Sequence, residues 1–450
     1  MHLRPIFQSA LFTVGLFGGL SGAIASPTVT LDLPAALSEQ DFFTFEPAKA
    51  EIGRLLFYDK ILSGNQNISC GTCHHHELGG ADGLSLGVGE GGMGLGPKRK
   101  TSDGVTQIEA RIPRNAPALW NLAHRDVQNM FHDGRLFVSD EFGNGFNSPA
   151  GADLPKGLET IIAAQAMFPI TARHEMAGDP EENPIGDAAN EKLAVAWPII
   201  AKRVADIPEY AEMIVAAFDD INSAEDISIV EIGNSIAAFV GTEWRNFDSP
   251  YDRYLAGQSD ALTPDQKSGM ELFFGEAQYS TCHSGALLTD QGFHAIGVPN
   301  FGPGKTRAFD PVARDVGRML QTNRLQDIYK FRTPALRNVA LTGPYGHNGA
   351  MPTLEAMVRH HVDPVASMKN YTKEMAGLPQ AEWLQDADFT IWKDEYELAR
   401  QTAMLDIQLP QMSTAQIADI VAFLNALTGD TALSLPIGRP DSVPSGLSVD

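Results

Sequence analysis

Along this chain the apolar positions recur mostly at spacings of three and four, the period of an α-helix with one buried face. That spacing predicts helices over Pro47–Tyr58, Leu119–Val127, Leu158–Met167, Glu191–Val204, Tyr210–Phe218 and Ile227–Phe239. A last helix is predicted over Gln416–Leu427, capped by Ser413, with Ile417, Ile420, Val421, Leu424 and Leu427 on its buried side. Thr263-Pro264-Asp265 reads as a further helix start, with Thr263 as N-cap and Pro264 in the first position, and that helix ends near Phe274. Gly79–Gly96 is glycine-dense and lacks helical periodicity; it predicts either a loop that wraps a flat ligand closely or a surface loop. Gly178–Asn190, rich in acidic residues, Pro, Gly and Asn, predicts a solvated loop. Alternating strand patterns are scarce, so the class is mainly α.

Length adds domain number. A chain of 450 residues is too long for one core, and the pattern breaks between Tyr251 and Thr263. The opening residues read as an export signal: Arg4, an apolar run from Ile6 to Leu20, then Ala23-Ile24-Ala25 as a cleavage site. The expected organisation is therefore a signal peptide over 1–25, one domain over 26–255 and a second over 256–450, in a periplasmic protein. No later apolar run approaches the ~20 residues of a membrane span. Asp and Glu total 56 against 33 Lys and Arg, a balance that repels nucleic acid and favours a basic protein partner. Three cysteines in a long exported chain are too few for a disulfide scaffold; they have another use.

Two of the three stand in Cys70-Gly71-Thr72-Cys73-His74. In an exported chain a C-x-x-C-H pentapeptide reads as covalent haem attachment, two thiols adding to the haem vinyl groups while the histidine ligates iron; a redox or zinc C-x-x-C is the alternative. The third cysteine stands in Tyr279-Ser280-Thr281-Cys282-His283, which repeats the arrangement with one cysteine missing. Further on, Gly343-Pro344-Tyr345-Gly346-His347-Asn348-Gly349-Ala350-Met351 ends in a sulfur ligand candidate, with core packing as its alternative use.

Together with Ile52–Asp59, Arg114-Asn115-Ala116-Pro117, Asp133-Gly134-Arg135, Leu288-Thr289-Asp290, Phe293–Val298 and Arg337-Asn338-Val339, these motifs resemble the bacterial dihaem cytochrome c peroxidase family, including its cofactor-maturing methylamine-utilisation members. The resemblance runs from about Pro47 to Leu427. It implies two cytochrome-c-like haem domains with extensive loops, two haem c groups and a calcium ion between the domains. By this resemblance His74 is the proximal ligand of a haem that meets hydrogen peroxide, and His283 that of a haem fed by a soluble donor such as a c-type cytochrome or cupredoxin. Met351 is the second ligand of that electron-transfer haem. The family's distal glutamine and glutamate map to Gln165 and Glu175, which suit peroxide cleavage: one group moves a proton while another hydrogen-bonds the leaving oxygen. Taken singly, each would be an ordinary solvated side chain. Calcium is implied at the side chain of Asn115 and the backbone carbonyls of Arg332 and Pro334, and a homodimer is implied by the family alone.

The expected activity is reduction of peroxide to water. The alternatives are an oxidase that matures a protein-derived cofactor, where the position of Met351 looks to be a tyrosine, and a non-catalytic electron-transfer cytochrome. Three positions depart from the family pattern. Tyr279 replaces a cysteine, which leaves either a haem attached through Cys282 alone or no second haem. Glu90 stands where many relatives carry an iron-plugging histidine, so the oxidised iron is expected to be open. His132 stands where many carry a tryptophan between the haems and is expected to brace Asp133 and Arg135; His75 and His76 are expected at the haem edge, facing solvent or hydrogen-bonded.

Overall fold

Glycine decides the two principal helix crossings. In the computed structural model, which describes residues 31–102 and 107–450, Pro47–Tyr58 packs across Ile229–Glu243, and Pro264–Phe274 packs across Thr414–Asn425. A Cβ on Gly53 would lie 1.8 Å from the Ser235 carbonyl oxygen, and one on Gly269 1.9 Å from that of Asp419. Without a side chain, the two backbones can meet. Around the first crossing Ile52, Leu56, Phe57, Ile232, Ile236 and Phe239 are buried; around the second, Phe273, Ile420 and Phe423. Each pair precedes or follows one Cys-His motif in the same order, so the chain builds one frame twice.

The caps follow the predicted chemistry. Thr263 Oγ1 accepts from Gln266 N at 3.3 Å, while Gln266 Oε1 accepts from Thr263 N at 2.9 Å. Ser413 and Gln416 repeat the exchange at 3.2 and 2.9 Å. Each such cap satisfies orphan N–H groups and stabilises by about 1 kcal/mol. Helices also form over Leu193–Ala205 and Pro208–Ala217, within a few residues of expectation.

Two expectations fail, one through distant partners and one through a local cap. Leu119–Val127 is a run of turns, not a helix: Asn121 takes a left-handed φ of 56°, and its backbone N–H and side-chain amide donate to the Trp244 and Asn246 carbonyls at 2.8 Å. Its apolar residues are buried all the same. Conversely, the loop expected over Gly178–Asn190 contains the helix Pro184–Glu191, started by Asn183 Oδ1 accepting from Ile185 and Gly186 N–H groups at 2.9 Å. The helix expected over Leu158–Met167 shrinks to Ile161–Ala166 behind the Thr160 cap.

Strands are short ribbons: Gly92–Met93 with Lys100–Thr101, Asn129–Met130 with Leu136–Val138 and Phe146–Asn147, and Phe293–His294 with Phe331–Arg332, all antiparallel. The fold is thus mainly α. Among the described residues no helix is long and apolar enough to cross a membrane; the expected signal peptide lies outside them.

Residues 429–450 run back over the first helix pair. The Ile437 and Gly438 N–H groups donate to the Glu243 carboxylate at 2.9 and 3.0 Å. Ser445 Oγ donates to Asp59 Oδ1 at 2.7 Å, and Leu447 and Val449 pack on that core. At the end of this strap Asp450 meets Lys60 at 2.6 Å and accepts from Thr72 Oγ1 at 2.5 Å.

Candidate functional site

Cys70–Cys73 forms one helical turn, closed by Ser69 N donating to Thr72 Oγ1 at 3.0 Å. The Tyr58 ring lies so close to Gly71 that a Cβ there would fall 2.3 Å from it. His74 Nδ1 bonds the Gly80 carbonyl at 2.9 Å, and burial lowers its pKa, which favours the neutral imidazole that a metal ligand must be. Cys70 and Cys73 are free thiols. Of the neighbouring histidines, His76 Nδ1 bonds Tyr58 OH at 3.1 Å and His75 is buried with its ring 4.6 Å from that of His76.

The second motif repeats this design. His283 Nδ1 bonds the Leu288 carbonyl at 3.0 Å, and burial lowers its pKa to about 4. Cys282 is a free thiol, with His294 and Asp290 beside it. Tyr279 fills the missing cysteine's position with its ring stacked on Phe273, centroids 5.4 Å apart, and its hydroxyl donating to the Val358 carbonyl at 3.4 Å. Met351 is buried in an apolar cluster with Leu86, Val298, Phe301 and Tyr371, against which Trp392 packs. Its backbone pairs with that of Tyr345, and Ser85 Oγ donates to the Gly349 carbonyl of the same loop at 2.7 Å. Trp383, farther along, donates to the Ile108 carbonyl at 2.9 Å.

Gln165 and Glu175 come from the helix Ile161–Ala166 and the π-turn Arg173–Ala177. Gln165 Oε1 is buried without a hydrogen-bond partner. Burial raises the Glu175 carboxyl, and Lys305 and Arg135 pull it back. The glycine-rich segment lies directly on this turn: a Cβ on Gly89 would sit 2.1 Å from the His174 carbonyl oxygen, and Glu90 N donates to the Glu175 carbonyl at 3.0 Å. Arg99 clamps the segment by donating to the Val88, Gly89 and Gly94 carbonyls at 2.6–2.7 Å. The Glu90 carboxylate turns away to a cavity of about 590 Å³, where Asn65 and Asn67 donate to it at 3.0 and 2.5 Å.

A buried charged cluster joins residues far apart in the chain. Arg114 pairs with Asp315 at 2.7 Å and with Asp133 at 2.7 Å, and Asp133 also meets Arg135 at 3.1 Å. His132 does not brace Asp133: its Nε2 bonds the Asn115 carbonyl at 3.0 Å, and its own carbonyl accepts from Arg332 N at 2.7 Å. Asn115 and Arg332 therefore flank the same histidine. Asn115 Nδ2 donates to the Leu84 carbonyl at 2.7 Å.

A haem fits the donor chemistry at both motifs: each histidine is neutral, oriented by a backbone carbonyl and next to a free thiol. A profile for the di-haem cytochrome c peroxidases matches residues 47–260. The methylamine utilization protein MauG of Methylorubrum extorquens is 30% identical over 319 residues, 70% of this chain and 69% of that protein. The chain belongs to the di-haem cytochrome c peroxidase family. Its other relatives include the cytochrome c551 peroxidase of Nitrosomonas europaea, 30% identical over 69% of this chain and 71% of that protein. The crystal structure of a MauG-like protein associated with microbial copper homeostasis superposes with a TM-score of 0.57 at 25% identity, covering 92% of this chain and 98% of that one. As a di-haem family member the chain takes two haem c groups.

Sequence reasoning missed three features of this region: Arg99, Lys305 and the strap. Arg99 is the first arginine after the glycine-rich stretch, a usable signal, since carbonyl-rich loops need a donor that can reach several acceptors. Lys305 follows Gly302-Pro303-Gly304 with nothing in its surroundings to mark it.

Proposed function

We propose that the chain is a peroxidase that reduces hydrogen peroxide to two waters with electrons from a soluble redox protein. The observation that carries this reading is that Gln165 and Glu175 are half-buried, Glu175 directly against the glycine-rich segment that follows His74 and Gln165 with its Oε1 shielded from solvent and without a hydrogen-bond partner. When bound, the haem at Cys70, Cys73 and His74 supplies the electrons that cleave the O–O bond. The carboxylate of Glu175 takes a proton from the peroxide oxygen that stays and returns it to the oxygen that leaves. The amide of Gln165 donates a hydrogen bond to the leaving oxygen and holds it in line for that proton.

Residues 26–255 would then hold the peroxidatic haem and residues 256–450 the electron-transfer haem, each within one glycine-crossed helix pair. His283 and Met351 would ligate the second iron, and a His/Met pair raises the reduction potential as an electron acceptor requires. Cys282 would form the only thioether there, Tyr279 filling the space of the other. Calcium at Asn115, Arg332 and Pro334 would stiffen the layer around His132. The arginine- and aspartate-bonded layer supports a fixed relation between the two irons. Export to the periplasm, from the signal-like residues 1–25, and a homodimer, by family likeness, complete the reading. Glu90, held by Asn65 and Asn67, would leave the oxidised iron open.

The test is steady-state peroxide turnover by the holoenzyme as isolated in its oxidised form, with reduced c-type cytochrome as donor. Turnover without a lag is expected, with Glu175→Gln lowering kcat/KM by about 10²-fold or more. Inertness to peroxide would leave an electron carrier. Poor donor oxidation together with a crosslinked protein partner would favour cofactor maturation.

A further inference from the structure

We propose that His294, held by Asp290, is the proton carrier for covalent haem attachment at Cys282, its ring exchanging protons with the thiol and with the vinyl group that the sulfur joins. The proposal rests on the reading that Cys282 makes the single thioether of the second motif, and it assigns that motif a catalytic residue of its own.

A short, closely tied segment brings the three side chains together. Asp290 N donates to the Cys282 carbonyl at 2.7 Å, and Asp290 Oδ1 accepts from Gly292 N at 2.7 Å. His294 Nε2 donates to the other carboxylate oxygen at 2.9 Å. A Cβ on Gly292 would fall 2.7 Å from Asp290 Oδ2 and 2.9 Å from His294 Nε2, so a side chain there would push into the pair. Thr333 N donates to the Gly292 carbonyl at 2.9 Å, and His294 stands opposite Phe331 in the ribbon of Phe293–His294 with Phe331–Arg332. Cys282 Sγ, a ring nitrogen of His294 and a carboxylate oxygen of Asp290 all lie within 4.8 Å of one another. Among the described residues no other three His, Cys, Asp or Glu side chains gather in this way, and neither Cys70 nor Cys73 belongs to such a group.

That arrangement suits the addition of a thiol across a carbon–carbon double bond. The S–H bond of Cys282 and the π-bond of the vinyl group break; sulfur bonds the inner vinyl carbon, and hydrogen ends on the outer one. His294 gives its ring proton to the outer carbon and takes the thiol proton in return. The ring leaves the step as it entered, and no electron is gained or lost overall. Asp290 orients the ring and favours its charged form, as a carboxylate does for a catalytic histidine. The electrostatics agree: the hydrogen bond to Cys282, opposed by burial and joined by that to Asp290, raises His294 to about 9, so at neutral pH the ring carries the proton it has to give.

The second motif has more to lose from slow attachment than the first. At Cys70 and Cys73 either thiol alone makes the haem covalent; with Tyr279 in place, attachment of the second haem succeeds or fails at Cys282. The His294 and Asp290 side chains are 29% and 26% exposed, so replacing either opens no core cavity, and a chemical role can be told from a structural one.

The test follows the full chain as it matures in a bacterial host and compares the parent, His294→Gln, Asp290→Asn and Cys282→Ala. Intact mass after denaturation counts covalent haems, with the first motif as internal standard; the pyridine haemochrome counts all haem. Two covalent haems are expected in the parent. His294→Gln should lower the share of chains carrying the second covalent haem by about ten-fold or more at early times, with total haem unchanged and the alpha band moved to the red by the unreacted vinyl group. Asp290→Asn should cause a smaller, several-fold loss. Should His294→Gln not fold, His294→Asn carries the same expectation. Parent-like attachment in His294→Gln overturns the proposal. So does joint loss of covalent and total haem, which would make His294 a structural support. A zinc ion bound to each parent chain in place of the second thioether also overturns it, since the three side chains would then be a metal site. One covalent haem in the parent, or two in Cys282→Ala, removes the single-thioether reading and the proposal with it, whereas parent-like attachment in His294→Gln removes the proposal alone.

Discussion

The two Cys-His motifs share a frame and differ in cover. In the first, Gly71 and Thr72 are buried beneath Tyr58 and the strap that ends at Asp450. In the second, Thr281 is exposed and Ser280 half-buried. The histidines do not differ: each gives Nδ1 to a backbone carbonyl five or six residues on, at 2.9 and 3.0 Å. What the comparison teaches is that ligand geometry is set by the local turn, whereas access is set by distant chain. A closed attachment edge suits a haem that reacts with a small molecule, and an open one suits a haem that must exchange electrons with a protein, because electron transfer needs close approach of the donor.

The comparison is most strongly tested at the missing cysteine. Tyr279→Cys should convert the second motif to two-point attachment and shift the pyridine haemochrome alpha band to shorter wavelength. Cys282→Ala should release the second haem on denaturation, so that covalently held haem falls from two per chain to one. A single haem in the parent would end the parallel between the motifs.

Next come the helix crossings. Gly53→Ala and Gly269→Ala each force a methyl group into backbone at under 2 Å, and each should lower stability by about 1–3 kcal/mol or more, read as a fall in melting temperature. If one substitution is tolerated, the two halves are not built alike.

The strap gives the smallest effect. Thr72→Val removes the hydrogen bond to Asp450 together with the one that Thr72 Oγ1 accepts from Ser69 N, for a loss of about 1–2 kcal/mol. Its sharper readout is exposure: proteolysis of residues 429–450 should quicken in Thr72→Val and be unaffected by Thr281→Val, whose side chain lies in the uncovered motif.

Much of this was legible in the sequence, where residue type dictates chemistry. The cysteines and histidines of both motifs, the Thr263 and Ser413 caps and the paired helices are set by local patterns that tertiary contacts leave alone. What was not legible depends on distant partners. Leu119–Val127 has helical spacing but is held as turns by Trp244 and Asn246, more than a hundred residues away. Glu90 is expected from the family resemblance to face the iron, yet its direction is set by Asn65 and Asn67.

The glycine-rich segment after His74 is fastened along its length, among other places by Gly80 to the His74 ring, Ser85 to the loop that carries Met351, and Glu90 to the backbone of Glu175. A segment so fastened transmits displacement rather than absorbing it. The His74 ring, the loop that carries Met351 and the turn that carries Glu175 are therefore linked mechanically through one segment.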